Sequence, residues 1–140
     1  MIARMTSADE LLRALPIRGI RVRAGSYGNC GGVIIAVVDL EPGTAEGVEV
    51  VDGLIDVPDW AEDFPDDIEL CVLKVGEGVK AGFLELFDAE PAVRLVLRRL
   101  KFNLVDAVTS VGPRAGRLVV AEAVRLASAV PVSTQSAGSD

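Results

Sequence analysis

Residues 92–100 read Ala-Val-Arg-Leu-Val-Leu-Arg-Arg-Leu, an alternation that is typical of a β-strand with one buried face and one wet face. Val93, Leu95 and Leu97 share the side that must be covered. A strand of this kind needs partner strands beside it and a layer of helices over its apolar side. The rest of the sequence is predicted to supply both.

Two long amphipathic helices are predicted to form that layer. Apolar side chains recur at helical spacing over Asp66–Leu86, and a second broad apolar stripe covers Ala115–Ala129. The first helix contains Gly76, Gly78 and Gly82, each of which costs about 1 kcal/mol relative to alanine inside a helix. We therefore expect these glycines to mark close approach to a neighbouring element.

The remaining elements are shorter, and together they predict one α+β domain over residues 1–132 with a disordered tail at 133–140. The sheet is expected to be small and mostly antiparallel, with the two long helices packed on one face and a short N-terminal helix in addition. That short helix is capped by Ser7 and ended by Pro16. Further strands are predicted at Ile17–Arg23, Gly32–Val38 and Val48–Ile55, and loops at Gly25–Gly32, Glu41–Thr44, Pro58–Pro65 and Lys101–Pro113.

The charges are unevenly distributed along the chain of 140 residues, whose net charge is -7. No basic residue occurs between Arg23 and Lys74, while twelve acidic residues fall there. One interpretation is two solvated faces of opposite sign. The other is a bipolar domain with one end suited to an anionic partner.

The sequence contains no set of residues that is typical of catalysis. Histidine is absent, which excludes Ser-His, Cys-His and His-metal chemistry, and the two cysteines do not form a disulfide framework. The loop Gly25–Gly32 leads into a strand, whereas phosphate loops lead into a helix. The carboxylates near Asp66 are better explained by helix capping than by a metal. We expect no enzymatic activity, no cofactor and no metal.

Neither a signal peptide nor a membrane span is predicted from the sequence. Charge appears as early as Arg4, and the longest charge-free apolar run, Val33–Val38, is too short to cross a bilayer. A cytoplasmic protein with no membrane association is therefore expected.

Several motifs, taken in order, are similar to those of one known family. Ile20-Arg21 followed by Gly25-Ser26-Tyr27-Gly28-Asn29 is similar to its Ile-Arg and Gly-Gln-Tyr-Gly-His loop. Val75–Phe83 is similar to a helix pattern of the family, and Pro91–Pro131 follows the family pattern without a gap. By these motifs the chain resembles domain IV of translation elongation factor G, which enters the decoding site of the ribosome.

The resemblance implies a ribosomal protein S5 domain 2-like fold, with a crossover of unusual hand between parallel strands. It also implies a stand-alone, non-enzymatic binding module for the ribosome or a structured RNA. In such a fold the loops Ala24–Gly32 and Lys101–Val108 lie side by side at one end. The residues implied to contact RNA or another partner are Arg21, Arg23, Tyr27, Lys101, Phe102, Asn103 and Leu104. Either Arg98 or Arg99 is implied to lie near them as a further cation.

A second hypothesis is a protein-interaction or regulatory domain, including self-association, that has lost RNA binding. The acidic stretch Asp39–Glu69 and the apolar Phe102, Leu104 and Val105 favour it. A third hypothesis, a small enzyme, has no catalytic residues to support it. Salt-dependent RNA binding distinguishes the first hypothesis from the second.

Overall fold

The computed structural model describes residues 8–25, 32–56, 65–102 and 105–139. The predicted loops Gly25–Gly32 and Pro58–Pro65 lie outside these ranges except at their ends. The order of elements agrees with the sequence prediction, and only their bounds differ. They are α1 (Ala8–Ala14), β1 (Ile17–Gly25), β2 (Val33–Pro42), β3 (Val48–Asp56), α2 (Pro65–Phe87), β4 (Val93–Phe102) and α3 (Val105–Ser139).

The strands form one four-stranded sheet in the order β1-β2-β4-β3. β2 pairs antiparallel with both β1 and β4, whereas β3 pairs parallel with β4. Because α2 lies between β3 and β4 in the chain, these three elements make a parallel crossover. The predicted α+β class with a mostly antiparallel sheet is confirmed. The sheet is mixed because β3 runs parallel to β4.

One face of the sheet carries the hydrophobic core beneath α2 and α3. Val93, Leu95 and Leu97 are each fully buried there, which confirms the alternation that was predicted for their strand. Ile34 and Val38 of β2 lie in the same core. The two long helices contribute further buried side chains: Cys71, Val75, Val79 and Phe83 from α2, and Val111, Ala115, Val119, Ala123 and Ala127 from α3.

The glycines of α2 lie where other elements come closest to the helix, as predicted. A Cβ atom at Gly76 would lie 2.7 Å from Cγ2 of Val50, and one at Gly82 would lie 3.0 Å from Cγ2 of Val120. A Cβ atom at Gly78 would overlap the carbonyl oxygen of Pro113. These positions exclude larger side chains because the neighbouring backbone and side chains already fill the space.

The loop predicted at Lys101–Pro113 is wrong over most of its length. β4 continues through Phe102, and α3 begins at Val105. Pro113 was expected to precede the last helix because an internal proline costs a helix about 3 kcal/mol. It lies inside α3 instead, at the contact with Gly78, so packing between the helices outweighs the local preference.

Two further boundaries differ from the prediction. α3 ends at Ser139, whereas the apolar stripe predicted a helix that ends near Ala129. Extension of an existing helix fixes one residue at a time and avoids the cost of nucleation, which allows a weak sequence to remain helical. β2 extends through Pro42, which pairs with Val93, so the turn begins at Gly43 instead of Glu41.

Candidate nucleic-acid interface

The sheet face opposite the core carries the alternate residues of β1, β2 and β4. The buried side chains of α2 and α3 join the core on the other face of the sheet. We call the face opposite the core the open face. It divides into two halves of different charge. The first half lies at the end of the sheet where β1 and β4 finish, and the second half lies at the end where they begin.

The first half contains four exposed cations around two half-buried aliphatic side chains. Arg23, Ile35 and Lys101 are aligned across β1, β2 and β4 in one row. Arg21, Val37 and Arg99 form the next row in the same way. We call Arg21, Arg23, Arg99 and Lys101 the cationic frame, and Ile35 and Val37 its floor.

A β-bulge in β4 places two members of the frame on the open face. Val38 pairs with Leu97 and Val37 pairs with Arg99, so Arg98 is an extra residue without a partner on β2. The bulge shifts the alternation by one position. Leu97 and Leu100 therefore both face the core, while Arg99 and Lys101 are exposed.

The second half of the open face is centred on Asp39, which is only 7% exposed. Its Oδ1 accepts a hydrogen bond of 2.9 Å from the backbone N–H of Gly19, and its Oδ2 accepts one of 2.9 Å from Nε of Arg98. Arg18 contributes a third, longer contact of 3.5 Å to Oδ2 and binds Glu41 at 3.1 Å. The buried carboxylate is thus satisfied from both neighbouring strands.

Two bulges bring the partners of Asp39 into place. In β1, three steps from Ile17 to Ile20 match two steps on β2, and Gly19 has a φ of 70° that favours glycine. In β4, the extra residue is Arg98 itself. Asp39 therefore accepts hydrogen bonds from residues of both bulges, and we infer that these contacts fix the register of β2 against its neighbours.

Burial by itself raises the pKa of Asp39, because it disfavours the charged form. The hydrogen bonds from Gly19 and Arg98 and the positive charges of Arg98 and Arg18 act in the opposite direction. Together they hold the pKa of Asp39 below its ordinary value. Asp39 is accordingly a negatively charged structural group at neutral pH.

Arg98 also lies near Val96 and β3. A Cβ atom at Gly53 would lie 2.7 Å from Cγ1 of Val96 and 3.0 Å from Nη1 of Arg98, so only glycine leaves this space free. In the next row Arg94 lies between Glu41 and Glu49 across three strands. The second half of the open face therefore places its cations beside carboxylates.

The structure brings together three of the seven predicted partner-binding residues: Arg21, Arg23 and Lys101. Phe102 is only 5% exposed and belongs to the hydrophobic core, so its side chain is not at the surface that was predicted for it. The bulge at Arg98 turns Leu100 toward the core. Phe102 lies two positions further along the strand, so it points inward as well. The other three, Tyr27, Asn103 and Leu104, lie outside the described residues.

Of the alternatives Arg98 and Arg99, the structure places Arg99 in these rows, and sequence reasoning missed Ile35 and Val37. The adjacent pair Arg98-Arg99 indicates that the alternation of this strand does not continue unchanged. A strict alternation that buries Val93, Leu95 and Leu97 would also bury Arg99, and a bulge removes that conflict.

No protein-family model matches the chain, and a comparison with curated proteins gives no match. Within the described ranges, no three Cys, Asp or Glu side chains are grouped as a metal site would need. None of the helices described here has the length and apolar character to span a bilayer.

Proposed function

We propose that this protein is a non-enzymatic binding module that resembles domain IV of elongation factor G. It acts in the cytoplasm, and its partner is the ribosome or another structured RNA. The motifs that carry the resemblance favour this function. The fold is compatible with it, because the resemblance implies an α+β domain with two helices on one sheet face.

The observation that carries the proposal is the cationic frame. Lys101 is far from Arg21 and Arg23 in the sequence, yet all three lie exposed in two adjacent rows of one surface. A protein of net charge -7 repels nucleic acid in general, so RNA binding requires a local concentration of cations. The open face provides that concentration.

The test is the salt dependence of binding to a labelled RNA hairpin and to purified ribosomes. Each cation that neutralises a phosphate contributes roughly 0.7–0.9 to the slope of log K against log salt concentration. We expect Arg21→Ala combined with Arg23→Ala to reduce that slope by about 1.4–1.8.

The matched control removes two cations from helices α1 and α3 instead. Arg13→Ala combined with Arg114→Ala changes the net charge by the same amount, and both residues are exposed. We expect the control to leave the slope within about 0.5 of the original value, since the charges lie off the open face. Equal effects of the two double variants would mean that only net charge matters, and the proposal would be wrong.

A protein-interaction or regulatory domain, including self-association, is the second candidate. Four leucines on the helix layer favour it, because each is about half exposed: Leu73, Leu84 and Leu86 of α2 and Leu118 of α3. Phe102, one of the residues that favoured this candidate in the sequence, is buried in the core and does not support it. Self-association that is insensitive to salt, together with no RNA binding, would decide in its favour.

A further inference from the structure

The cationic frame has dimensions that follow from sheet geometry. Arg21 and Arg99 are separated by the single intervening strand β2, and so are Arg23 and Lys101. Two strand spacings place the two sides of the frame roughly 10 Å apart, and two residues along a strand separate its rows by about 7 Å. The frame is therefore a small rectangle of positive charge with an aliphatic floor between its sides.

The two rows carry an excess of positive charge. Their open-face positions on β1, β2 and β4 hold four basic residues and no acidic one, while Asp56 of β3 pairs with Arg99 at the edge of the frame. In the other half, Asp39 and Glu41 bind Arg18 and Arg98. Basic residues outnumber acidic ones at the described positions of the frame, whereas the other half has carboxylates beside its cations, so an anionic chain is attracted more strongly to the frame.

The floor distinguishes between two forms of RNA. Ile35 and Val37 are half-buried aliphatic side chains at the level of the sheet, below four longer basic side chains. An RNA duplex presents phosphates and grooves and keeps its bases stacked inside. An unpaired segment can place ribose and base surfaces on the floor while its phosphates reach the cations.

The floor also determines how specific the contact is. The described residues of the open face include no aromatic side chain on which a base could stack and no Asn or Gln that could read a base edge. Contacts to phosphates carry no sequence information. Recognition at this surface therefore depends on charge and on strand accessibility instead of base identity.

We propose that the cationic frame and its floor bind a short unpaired RNA segment through its phosphates, with little preference for base identity. This inference rests on the proposed RNA-binding function and assigns it a site and a class of ligand. Arg99, Ile35 and Val37 become binding residues, and Phe102 does not.

The experiment compares an oligouridine, an oligoadenosine and a blunt-ended RNA duplex of equal length, with the full chain as the protein. We expect the two single strands to bind within about threefold of each other and at least about tenfold more tightly than the duplex. Arg99→Ala combined with Lys101→Ala should lower the salt slope for the single strands by about 1.4. The Arg13→Ala, Arg114→Ala variant should not change it.

A second variant tests the floor alone. Ile35→Thr combined with Val37→Thr keeps β-branched side chains and all charges, so we expect weaker oligouridine binding, by several-fold, with an unchanged salt slope. Circular dichroism establishes that each variant is folded. If the threonine variant does not fold, the comparison of oligouridine with duplex and the Arg99→Ala, Lys101→Ala variant still decide the matter.

The outcomes separate this inference from the function on which it rests. Equal binding of duplex and single strand would overturn the assignment to unpaired RNA. Salt-dependent RNA binding that none of the four frame cations affects would place the RNA site elsewhere, and the inference alone would fail. If the original protein binds no RNA at low salt, the proposed function fails as well, and a protein partner becomes the better candidate.

Discussion

Gly116 of α3 lies against Gly78 of α2, so close that a Cβ atom at Gly116 would come 2.6 Å from Cα of Gly78. The same atom would lie 2.5 Å from the backbone nitrogen of Val79 and would overlap the carbonyl oxygen of Val75. The two helix backbones are in direct contact at this point. No side chain could yield to make room, because the obstructing atoms belong to the backbone.

Gly116→Ala is therefore expected to destabilise the protein. Alanine favours a helix by about 1 kcal/mol over glycine, but forcing a methyl group into a filled contact costs roughly 1–3 kcal/mol or more. The measurement is the free energy of unfolding from urea titration. Leu118→Ala, two residues further along α3 at a side chain 41% exposed, is the control and should change it by less than about 0.5 kcal/mol. A more stable Gly116→Ala protein would contradict the helix contact.

The sequence predicted the α2 side of this contact but not all of the α3 side. The glycines of α2 were expected to lie against a neighbour because a helix rarely keeps so many without a packing reason. One of their partners, Pro113 against Gly78, belonged to a predicted loop, and proline is unfavourable inside a helix. Local propensity was the wrong guide there, because the contact between α2 and α3 forms only in the complete fold.

The candidate interface was predictable to a similar extent. Arg21 and Arg23 follow from a simple alternating strand, and the resemblance placed Lys101 near them. Arg99 and the inward direction of Phe102 depend on the bulge at Arg98, which moves the rest of β4 by one position. A bulge is determined by pairing between strands that are distant in the sequence, so the residues of β4 alone could not establish it.

Phe102→Ala is expected to destabilise the fold instead of weakening a surface contact. The side chain is 5% exposed within the core, and truncation of a buried phenylalanine costs about 3–5 kcal/mol. The neighbouring Lys101→Ala is the control, with an expected change of less than about 0.5 kcal/mol because Lys101 is exposed. Thermal and urea unfolding measure both variants. Equal stability of the two would mean that Phe102 is at the surface, as the sequence had predicted.

Cys71 is expected to be unreactive in the folded protein. Burial raises the pKa of its thiol to about 12, so the reactive thiolate is scarce at neutral pH, and the side chain is fully buried. A Cys30→Ser variant leaves Cys71 as the single thiol of the chain. We expect no labelling by a disulfide reagent under native conditions and labelling of one thiol in urea. Rapid labelling without denaturant would contradict the burial.

Asp39→Asn tests the contact between the two bulges. Asparagine keeps the shape of the side chain and can still accept the hydrogen bond from Gly19, but it leaves Arg98 and Arg18 with Glu41 as the remaining carboxylate that they share. Loss of a charged hydrogen bond at a buried position predicts a decrease of about 1–3 kcal/mol in the free energy of unfolding at neutral pH. Glu46→Gln, which removes an exposed charge in the turn before β3, should have an effect below about 0.5 kcal/mol.

The same variant gives the pH dependence a definite sign. The pKa of Asp39 in the folded protein lies below its ordinary value of 3.8, so its ionised form stabilises the fold above that value. This contribution is lost as the pH falls through the folded pKa, because both the folded and the unfolded chain then bind the proton. The stability difference between the original protein and Asp39→Asn should therefore be constant near neutral pH and shrink below about pH 4. Urea titrations from neutral pH down to about pH 3 measure it, and a difference that stays constant over this range would show that the charge of Asp39 contributes nothing.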